Sequence, residues 1–227
     1  MVLGFNDTGS GVDGRQLPWV WTRRLRRTRW LIPCVTVVTL ACAHGPHART
    51  VRLHGEIDDA SGDAVTVPDV SRAPDLILGV VDVRGGNATF TVRLAPGSFD
   101  RATTRLTIQL DTDQRDTTGI RTPDGLGIDY VVDAWSATGT ATILTADPTG
   151  RCTAGSPCYQ ETGTAALTLL ADGMRVTVAL AQLGHANGRF NFRVQTYAMR
   201  LGMPSSSPTV VADVMPDAGL GFATARQ

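Results

Sequence analysis

Apolar and polar residues alternate in short runs along most of the chain. Leu106, Ile108 and Leu110 are separated by polar residues, which is the period of a strand with one buried face. Similar runs predict further short strands at 76–83, 88–94, 128–132, 140–144, 165–169, 174–180, 190–194 and 210–214. No run has the period of a long amphipathic helix, and only a turn around 181–183 is a candidate for helix.

Turn residues separate these runs and predict that neighbouring strands are antiparallel. Gly85-Gly86-Asn87 and Asp172-Gly173 each lie between two alternating runs, as is typical of tight β-hairpins. About nine or ten short strands, each with one apolar face, must pack those faces against each other. The sequence therefore predicts an all-β fold, an antiparallel two-sheet β-sandwich with a jelly-roll-like arrangement.

The start of the chain has the features of an export signal. Five arginines between Arg23 and Arg29 precede an apolar segment at 31–40, which is shorter than the roughly 20 residues of a membrane span. The sequence Ala41-Cys42-Ala43 then matches the small-x-small pattern of signal cleavage, with Ala41 and Ala43 as the small residues. This pattern predicts a signal peptide with its preceding n-region at 1–43.

Cys42 leaves a second interpretation open, in which the chain is a lipoprotein attached to the membrane through that cysteine. In both interpretations the protein is exported, to the periplasm or to the extracellular space, and it meets a membrane only if it is lipidated. We expect residues 44–227 to form a single β-sandwich domain with its core at about 50–217, because no linker or internal repeat divides them.

The charge of this domain argues against nucleic acid as a partner. The whole chain has 21 basic and 21 acidic residues. Six arginines and two aspartates precede residue 44, so 44–227 carries 15 basic and 19 acidic residues and a net charge of about −4. A net negative domain without a basic stripe does not fit a phosphate backbone.

Cys152 and Cys158 are the cysteines that follow residue 43, and five residues separate them. In an oxidising compartment this spacing predicts a disulfide that closes a small loop. So short a loop adds only modest stability, on the order of 2 kcal/mol, and its role would be to fix a turn between strands.

The run from Asp111 to Gly119 is an acidic turn that follows the strand at 106–110. Asp111, Asp113 and Asp116 offer hard oxygen ligands, which calcium prefers, and Asp129 and Asp63 are candidates to complete the site from neighbouring loops. The alternative is that these side chains accept hydrogen bonds from backbone N–H groups and hold the turn. Both interpretations remain open at this stage.

The order of several motifs resembles that of a known superfamily. Leu110-Asp-Thr-Asp113 is followed by Gly127-Ile-Asp-Tyr130, then by Ala179-Leu-Ala-Gln-Leu-Gly184 and Phe190-Asn-Phe192. An acidic Asp-Thr-Asp turn before a Gly-x-Asp-Tyr strand is similar to DOMON-like domains and family 9 carbohydrate-binding modules, especially their uncharacterised secreted bacterial members. The resemblance covers about residues 56–217 and implies a β-sandwich.

The same resemblance implies an aromatic binding site. Carbohydrate-binding relatives hold sugars between aromatic rings, and Trp135 is the tryptophan that follows residue 43. The resemblance therefore makes Trp135, Tyr130 and Tyr159 the candidate ligand-binding residues. The expected partner is an extracellular glycan.

Two functions are compatible with these features. The first is a secreted or surface-attached, non-catalytic binding module, carbohydrate-binding and stabilised by calcium. The second is a structural or interaction domain of the cell surface, which contacts another surface component and binds no small molecule. Catalysis is not expected, because the sequence has no nucleophile elbow and no phosphate-binding loop.

Overall fold

The computed structural model describes residues 53–65, 73–147, 158–184, 188–199, 210–217 and 223–224. They form thirteen strands and a short 3-10 helix at Leu180–Leu183. The strands are β1 (Leu53–Asp58), β2 (Leu76–Arg84), β3 (Asn87–Leu94), β4 (Arg105–Asp111), β5 (Ile120–Arg121), β6 (Gly127–Ile128), β7 (Tyr130–Trp135), β8 (Thr140–Ala146), β9 (Tyr159–Leu169), β10 (Gly173–Ala179), β11 (Asn191–Ala198), β12 (Val210–Met215) and β13 (Ala223–Thr224). Within these residues, no helix is long and apolar enough to cross a membrane.

Ten strands are hydrogen-bonded in one antiparallel sheet, in the order β1-β2-β3-β10-β9-β8-β7-β4-β11-β12. β13 pairs with β11, while β5 and β6 form a separate two-stranded sheet. The large sheet curls until it is nearly barrel-shaped. The predicted all-β, antiparallel class is thus confirmed. The predicted division into two facing sheets and the jelly-roll-like arrangement are not confirmed, because hydrogen bonds join the ten strands in a single path.

The predicted hairpins form around the predicted turns. Gly85 and Gly86 join β2 to β3 with φ angles of 59° and 80°, a left-handed conformation that glycine adopts without strain. β9 and β10 pair through the turn before Gly173, where the N–H of Leu170 donates to the Gly173 carbonyl at 2.9 Å. Local turn residues therefore determine which of these strands become neighbours.

The main hydrophobic core fills the inside of the curled sheet. The ring of Phe90 in β3 lies 5.8 Å from the ring of Phe190 and 5.9 Å from that of Phe192 in β11, measured between centroids. β3 and β11 are not neighbours in the sheet, so these rings join its opposite sides. Burial of each such ring stabilises the fold by about 1.5–3 kcal/mol.

A smaller apolar cluster covers part of the outer face of the sheet. It contains Leu126, Ile128 and Val131, and Tyr159 packs against it. The sequence predicts one strand through Ile128 and Tyr130, but the structure corrects this, because Ile128 belongs to β6 and pairs with β5. The connection between β4 and β7 is therefore held against the sheet by its own apolar residues.

The two ends of the sheet meet along a seam, which we define as the contact of β12 with β2 and with the segment between β1 and β2. The N–H of Leu76 in β2 donates to Asp213 Oδ2 in β12 at 2.6 Å. The N–H of Val65 donates to the carbonyl of Ala212 at 2.7 Å. A buried carboxylate thus joins β12, the last strand of the hydrogen-bonded path, to β2, the second strand.

Some of the predicted features lie outside the described residues, namely the signal segment at 1–43 with Ala41, Cys42 and Ala43, and also Cys152. The disulfide to Cys158 therefore stays a prediction. Cys158 immediately precedes β9, and its carbonyl accepts a hydrogen bond from the N–H of Asp147 at 2.9 Å. Residues 47–227 form one compact unit.

Candidate functional site

The acidic turn brings together three of the five predicted metal-ligand residues. Asp111 ends β4, Asp113 follows it, and Asp129 lies between β6 and β7. Each offers a carboxylate oxygen, and these three oxygens lie within 4.8 Å of one another. We call these three residues the turn cluster.

Hydrogen-bond donors already serve much of the turn cluster. The backbone N–H of Arg115 donates to Asp111 Oδ1 and to Asp113 Oδ1, each at 3.0 Å. Asn191 Nδ2 donates to Asp111 Oδ2 at 3.1 Å. These carboxylates therefore hold the backbone of the turn, as the alternative interpretation of the sequence expects.

The third carboxylate of the turn cluster is held in the same way. Asp129 Oδ2 accepts hydrogen bonds from the N–H of Thr112 at 2.8 Å and from its hydroxyl at 2.9 Å. Burial raises the pKa of Asp111, and hydrogen bonds from Asn191 and Arg115 oppose that rise. The protein thus partly replaces the water that these carboxylates lose on burial.

The other two predicted ligands lie elsewhere. Asp116 is exposed, and its Oδ2 lies 3.3 Å from Nη2 of Arg121. Asp63 belongs to a different acidic group, beside Asp75 and Asp213. The structure therefore does not bring the five residues into one site.

The second acidic group lies at the seam. Asp213 belongs to two sets of three carboxylates, in each of which the ligand oxygens lie within 4.8 Å of one another. Asp59 and Asp217 complete one set, and Asp63 and Asp75 complete the other. We call these five residues the seam cluster.

The seam cluster has fewer hydrogen-bond donors than it needs. Asp213 is only 7% exposed and accepts hydrogen bonds from the N–H groups of Leu76 at 2.6 Å and Val214 at 2.8 Å. Among the described residues, Asp59 Oδ2 and Asp75 Oδ1 are buried without a hydrogen-bond partner. The other oxygen of each accepts a backbone hydrogen bond, Asp59 Oδ1 from the N–H of Ala60 at 3.1 Å and Asp75 Oδ2 from that of Gly62 at 2.9 Å. No ion pair among the described residues includes a member of the seam cluster.

Negative charge is therefore concentrated at the seam. Burial, and after it the charges of Asp213 and Asp217, raises the pKa of Asp59 to about 7. Burial also raises the pKa of Asp213 to about 6, although its two backbone hydrogen bonds act in the opposite direction. Carboxylates in this environment are stabilised by a proton or by a cation.

Polar side chains on adjacent strands form a hydrogen-bonded network on the outer face of the sheet. Gln109 in β4 donates from Nε2 to Gln195 Oε1 in β11 at 2.9 Å, and its Oε1 accepts from Arg193 Nε at 2.9 Å. Arg193 Nη1 also donates to Asp124 Oδ2 at 2.9 Å, and the hydroxyl of Tyr197 donates to Gln195 at 3.3 Å. The network therefore spans the boundary between β4 and β11.

The network continues towards β7. Arg105 Nε donates to Asp133 Oδ1 at 2.8 Å, and the Arg105 guanidinium lies 5.9 Å from the centre of the Tyr197 ring. The hydroxyls of Thr107 and Tyr197 lie 3.3 Å apart. We call the whole set the outer-face network; its members are Arg105, Thr107, Gln109, Asp124, Asp133, Arg193, Gln195 and Tyr197. Its groups include both donors and acceptors.

The three aromatic residues implied by the resemblance occupy different places. Tyr130 begins β7 and packs against the main core. Trp135 ends β7 and lies opposite Arg105 in the ladder, so its side chain shares the outer face with that of Arg105. Tyr159 packs against the smaller apolar cluster. Trp135 therefore borders the outer-face network, and its Nε1 is buried without a hydrogen-bond partner in the part of the chain that the structure describes.

Sequence reasoning missed the seam cluster, apart from Asp63. Asp75 and Asp217 each follow a proline, and Asp59 lies in a polar turn, so each looks like an ordinary turn residue. The proximity of these residues depends on the contact of β12 with β2, and Leu76 and Asp213 are 137 positions apart. No local pattern reports a contact at that separation.

Comparison with known proteins adds no assignment to this geometry. No protein-family model matches the chain, and no curated protein is significantly similar to it. Proposals about function therefore rest on the turn cluster, the seam cluster, the outer-face network and the motifs of the sequence.

Proposed function

We propose that this chain is an exported, non-catalytic binding module whose ligand contacts the outer-face network. The observation that carries the proposal is the network itself, a row of hydrogen-bonding side chains across β7, β4 and β11 beside Trp135. Amide, guanidinium and hydroxyl groups next to an aromatic ring suit a ligand rich in hydroxyls, such as an extracellular glycan.

The proposal includes the finer features that the sequence predicts. The curled sheet is a β-sandwich of the jelly-roll type, similar to DOMON-like domains and family 9 carbohydrate-binding modules. Residues 1–43 direct export, with cleavage at Ala41-Cys42-Ala43 or lipid attachment at Cys42. Cys152 and Cys158 form a disulfide, and calcium stabilises the domain. Packing of Phe90 against Phe192 across the core supports a sandwich, because it joins opposite sides of the sheet.

A glycan array probed with residues 44–227 tests this function. We expect binding to at least one class of glycan, with affinity reduced about tenfold, or 1.4 kcal/mol, in Gln195→Ala and in Trp135→Ala. Arg175→Ala is the matched control, because it removes an exposed side chain of β10 that is not part of the network. Probing with calcium and with chelator separates direct binding from stabilisation by the ion.

The outcomes of the array are distinct. Equal affinity of Gln195→Ala, Trp135→Ala and Arg175→Ala would place the ligand elsewhere on the domain. An array without any bound glycan would contradict the proposed function, provided that circular dichroism shows the wild-type domain to be folded.

A structural or interaction domain of the cell surface is the second candidate function. The observation that favours it is that side chains of the outer-face network already hydrogen-bond to one another. Gln109, for example, uses both its amide nitrogen and its amide oxygen within the network. Its partner would be another component of the cell surface. Absence of glycan binding, together with a specific cross-link between the folded domain and a cell-envelope component, would favour this candidate.

A further inference from the structure

The charges of the outer-face network are matched within the network. Arg105 Nε donates to Asp133 Oδ1 at 2.8 Å, and its Nη2 donates to Asp133 Oδ2, so the two side chains form a bidentate ion pair. Arg193 Nη1 donates to Asp124 Oδ2 at 2.9 Å and forms the second ion pair. Each guanidinium group of the network therefore faces a carboxylate, and the network as a whole carries no net charge.

The two ion pairs differ in what a ligand can reach. The pair of Arg193 with Asp124 is almost buried, with 11% and 10% of the two side chains exposed. Arg105 is 37% exposed, and it lies opposite Trp135 in the ladder between β4 and β7. A ligand beside Trp135 therefore meets the guanidinium of Arg105, and Asp133 already neutralises that charge.

We propose that Asp133 makes the site selective for uncharged glycans, an inference that rests on the function proposed above for the outer-face network. A carboxylate or sulfate of a ligand would pair with Arg105 only by displacing Asp133, which would then lie beside the negative charge of the ligand. Like charges placed together in an interface oppose binding. A hydroxyl needs no such displacement, because it can accept from Nη1 of Arg105, which is outside the bidentate pair.

The other groups around Arg105 suit the same class of ligand. The hydroxyls of Thr107 and Tyr197 lie 3.3 Å apart, and the Tyr197 hydroxyl donates to Gln195 Oε1 at 3.3 Å. These groups are donors and acceptors without charge. Residues 44–227 also carry a net charge of about −4, which disfavours the approach of an anion. Local ion pairing and overall charge thus both favour a neutral ligand.

Pairs of glycans that differ only in charge test the proposal. Each neutral hexose oligosaccharide that the purified full chain binds on a glycan array is compared, by calorimetry, with its uronate, in which carboxylates replace the primary hydroxyls. We expect the wild type to bind the uronate at least about tenfold more weakly. Affinity for the neutral glycan should change less than about twofold between roughly 0.1 M and 1 M salt, because an uncharged ligand leaves salt no charge to screen.

Two aspartate variants locate the origin of the selectivity. Asp133→Asn should reduce the preference for the neutral glycan about tenfold, because it leaves Arg105 able to pair with the carboxylate of the uronate. The matched control is Asp172→Asn, since Asp172 pairs with Arg93, which is 37% exposed and lies outside the network. This control makes the same change in net charge and should keep the wild-type preference. Circular dichroism checks that both variants fold.

The outcomes separate the selectivity from the proposed function itself. Equal affinity of the wild type for neutral glycan and uronate, or an unchanged preference in folded Asp133→Asn, would overturn the selectivity but leave glycan binding at the network in place. An equal loss of preference in Asp172→Asn would assign the effect to net charge and not to Asp133. If Asp133→Asn does not fold, the wild-type comparison and its salt dependence still decide whether the site rejects anions. Absence of any bound glycan would overturn both proposals.

Discussion

The turn cluster and the seam cluster each bring three carboxylate oxygens within 4.8 Å, but they differ in what those oxygens contact. In the turn cluster, one backbone N–H of Arg115 donates to both Asp111 and Asp113. In the seam cluster, one buried oxygen each of Asp59 and Asp75 has no donor among the described residues, while the other accepts a backbone N–H. The two groups are alike in carboxylate spacing but differ in how many of their oxygens accept hydrogen bonds, so spacing alone does not identify a metal site.

The difference follows from the origin of the carboxylates. Asp111 and Asp113 lie in a turn that folds around their side chains, and aspartate is favoured in turns because it accepts hydrogen bonds from its own backbone. The carboxylates at the seam come from separate segments, and the backbone N–H groups of those segments donate to only some of the carboxylate oxygens. A cluster assembled by long-range contacts therefore depends more on an external cation or proton.

The largest expected effect is at the turn cluster. Asp111 is 1% exposed, and Asp111→Ala would leave the N–H of Arg115 and the amide of Asn191 without this acceptor. We expect a loss of about 3 kcal/mol in the free energy of unfolding, measured by urea denaturation. The loss should be equal in calcium and in chelator, because the carboxylate acts through hydrogen bonds. A loss that occurs only in calcium would instead make Asp111 a metal ligand.

The second prediction concerns pH at the seam. The pKa is about 7 for Asp59 and about 6 for Asp213, above the ordinary aspartate value of about 4. Between a pH of about 4 and these raised values, the folded state therefore binds more protons than the unfolded state. Their contribution to stability is complete below a pH of about 4 and is lost as pH rises through about 6 and 7. In chelator, the free energy of unfolding should therefore decrease as the pH rises from about 4 to about 7.

Thermal melts in chelator at pH values of about 5 and about 8 measure this loss, and the melting temperature should be lower at the higher pH. Asp59→Asn should reduce the difference between the two melts, because it removes one of the titrating carboxylates. Asp113→Asn is the control and should keep the difference seen in the wild type. An unchanged difference in Asp59→Asn would contradict the prediction.

Much of the fold could be predicted because its signals are local. Alternation and Gly or Asn turns locate β2, β3, β9 and β10 and their pairing, since each hairpin is specified by a few adjacent residues. The closing of the sheet could not be predicted, because no local residue specifies that β12 reaches β2. That contact depends on the curl accumulated over ten strands.

The candidate sites differ in the same way, in whether local sequence or a long-range contact forms them. The turn cluster could be predicted from the spacing of Asp111 and Asp113, whereas the seam cluster required the three-dimensional contact. The sequence also indicates which faces of the sheet the aromatic side chains occupy. Tyr130 and Trp135 are five positions apart in one strand, and an odd separation places two side chains on opposite faces of a regular sheet. Strand parity thus argues against a site that uses both rings.

The third prediction is that removing a carboxylate changes the free energy of unfolding in opposite directions in the two clusters. In chelator, Asp59→Asn should raise the free energy of unfolding by about 1 kcal/mol, because it removes a partly buried charge that lies close to the charges of Asp213 and Asp217. Asp113→Asn should lower it by a similar amount, because it weakens the acceptor of the Arg115 N–H and of the Thr118 hydroxyl. Urea denaturation of both variants measures the difference. A decrease in both would mean that the oxygens at the seam are already satisfied without calcium.

The smallest expected effect is at Asp116, which the sequence groups with the turn cluster. Its ion pair with Arg121 is exposed, with 51% and 68% of the two side chains accessible, and such pairs contribute little. Asp116→Ala should therefore change the free energy of unfolding by less than about 0.5 kcal/mol and leave the calcium response unchanged. Arg121→Ala should give the same result, because it removes the same pair from the other side. If Asp116→Ala alone reduced calcium binding, the ion would bind at the acidic turn, where the sequence predicts it, and not at the seam.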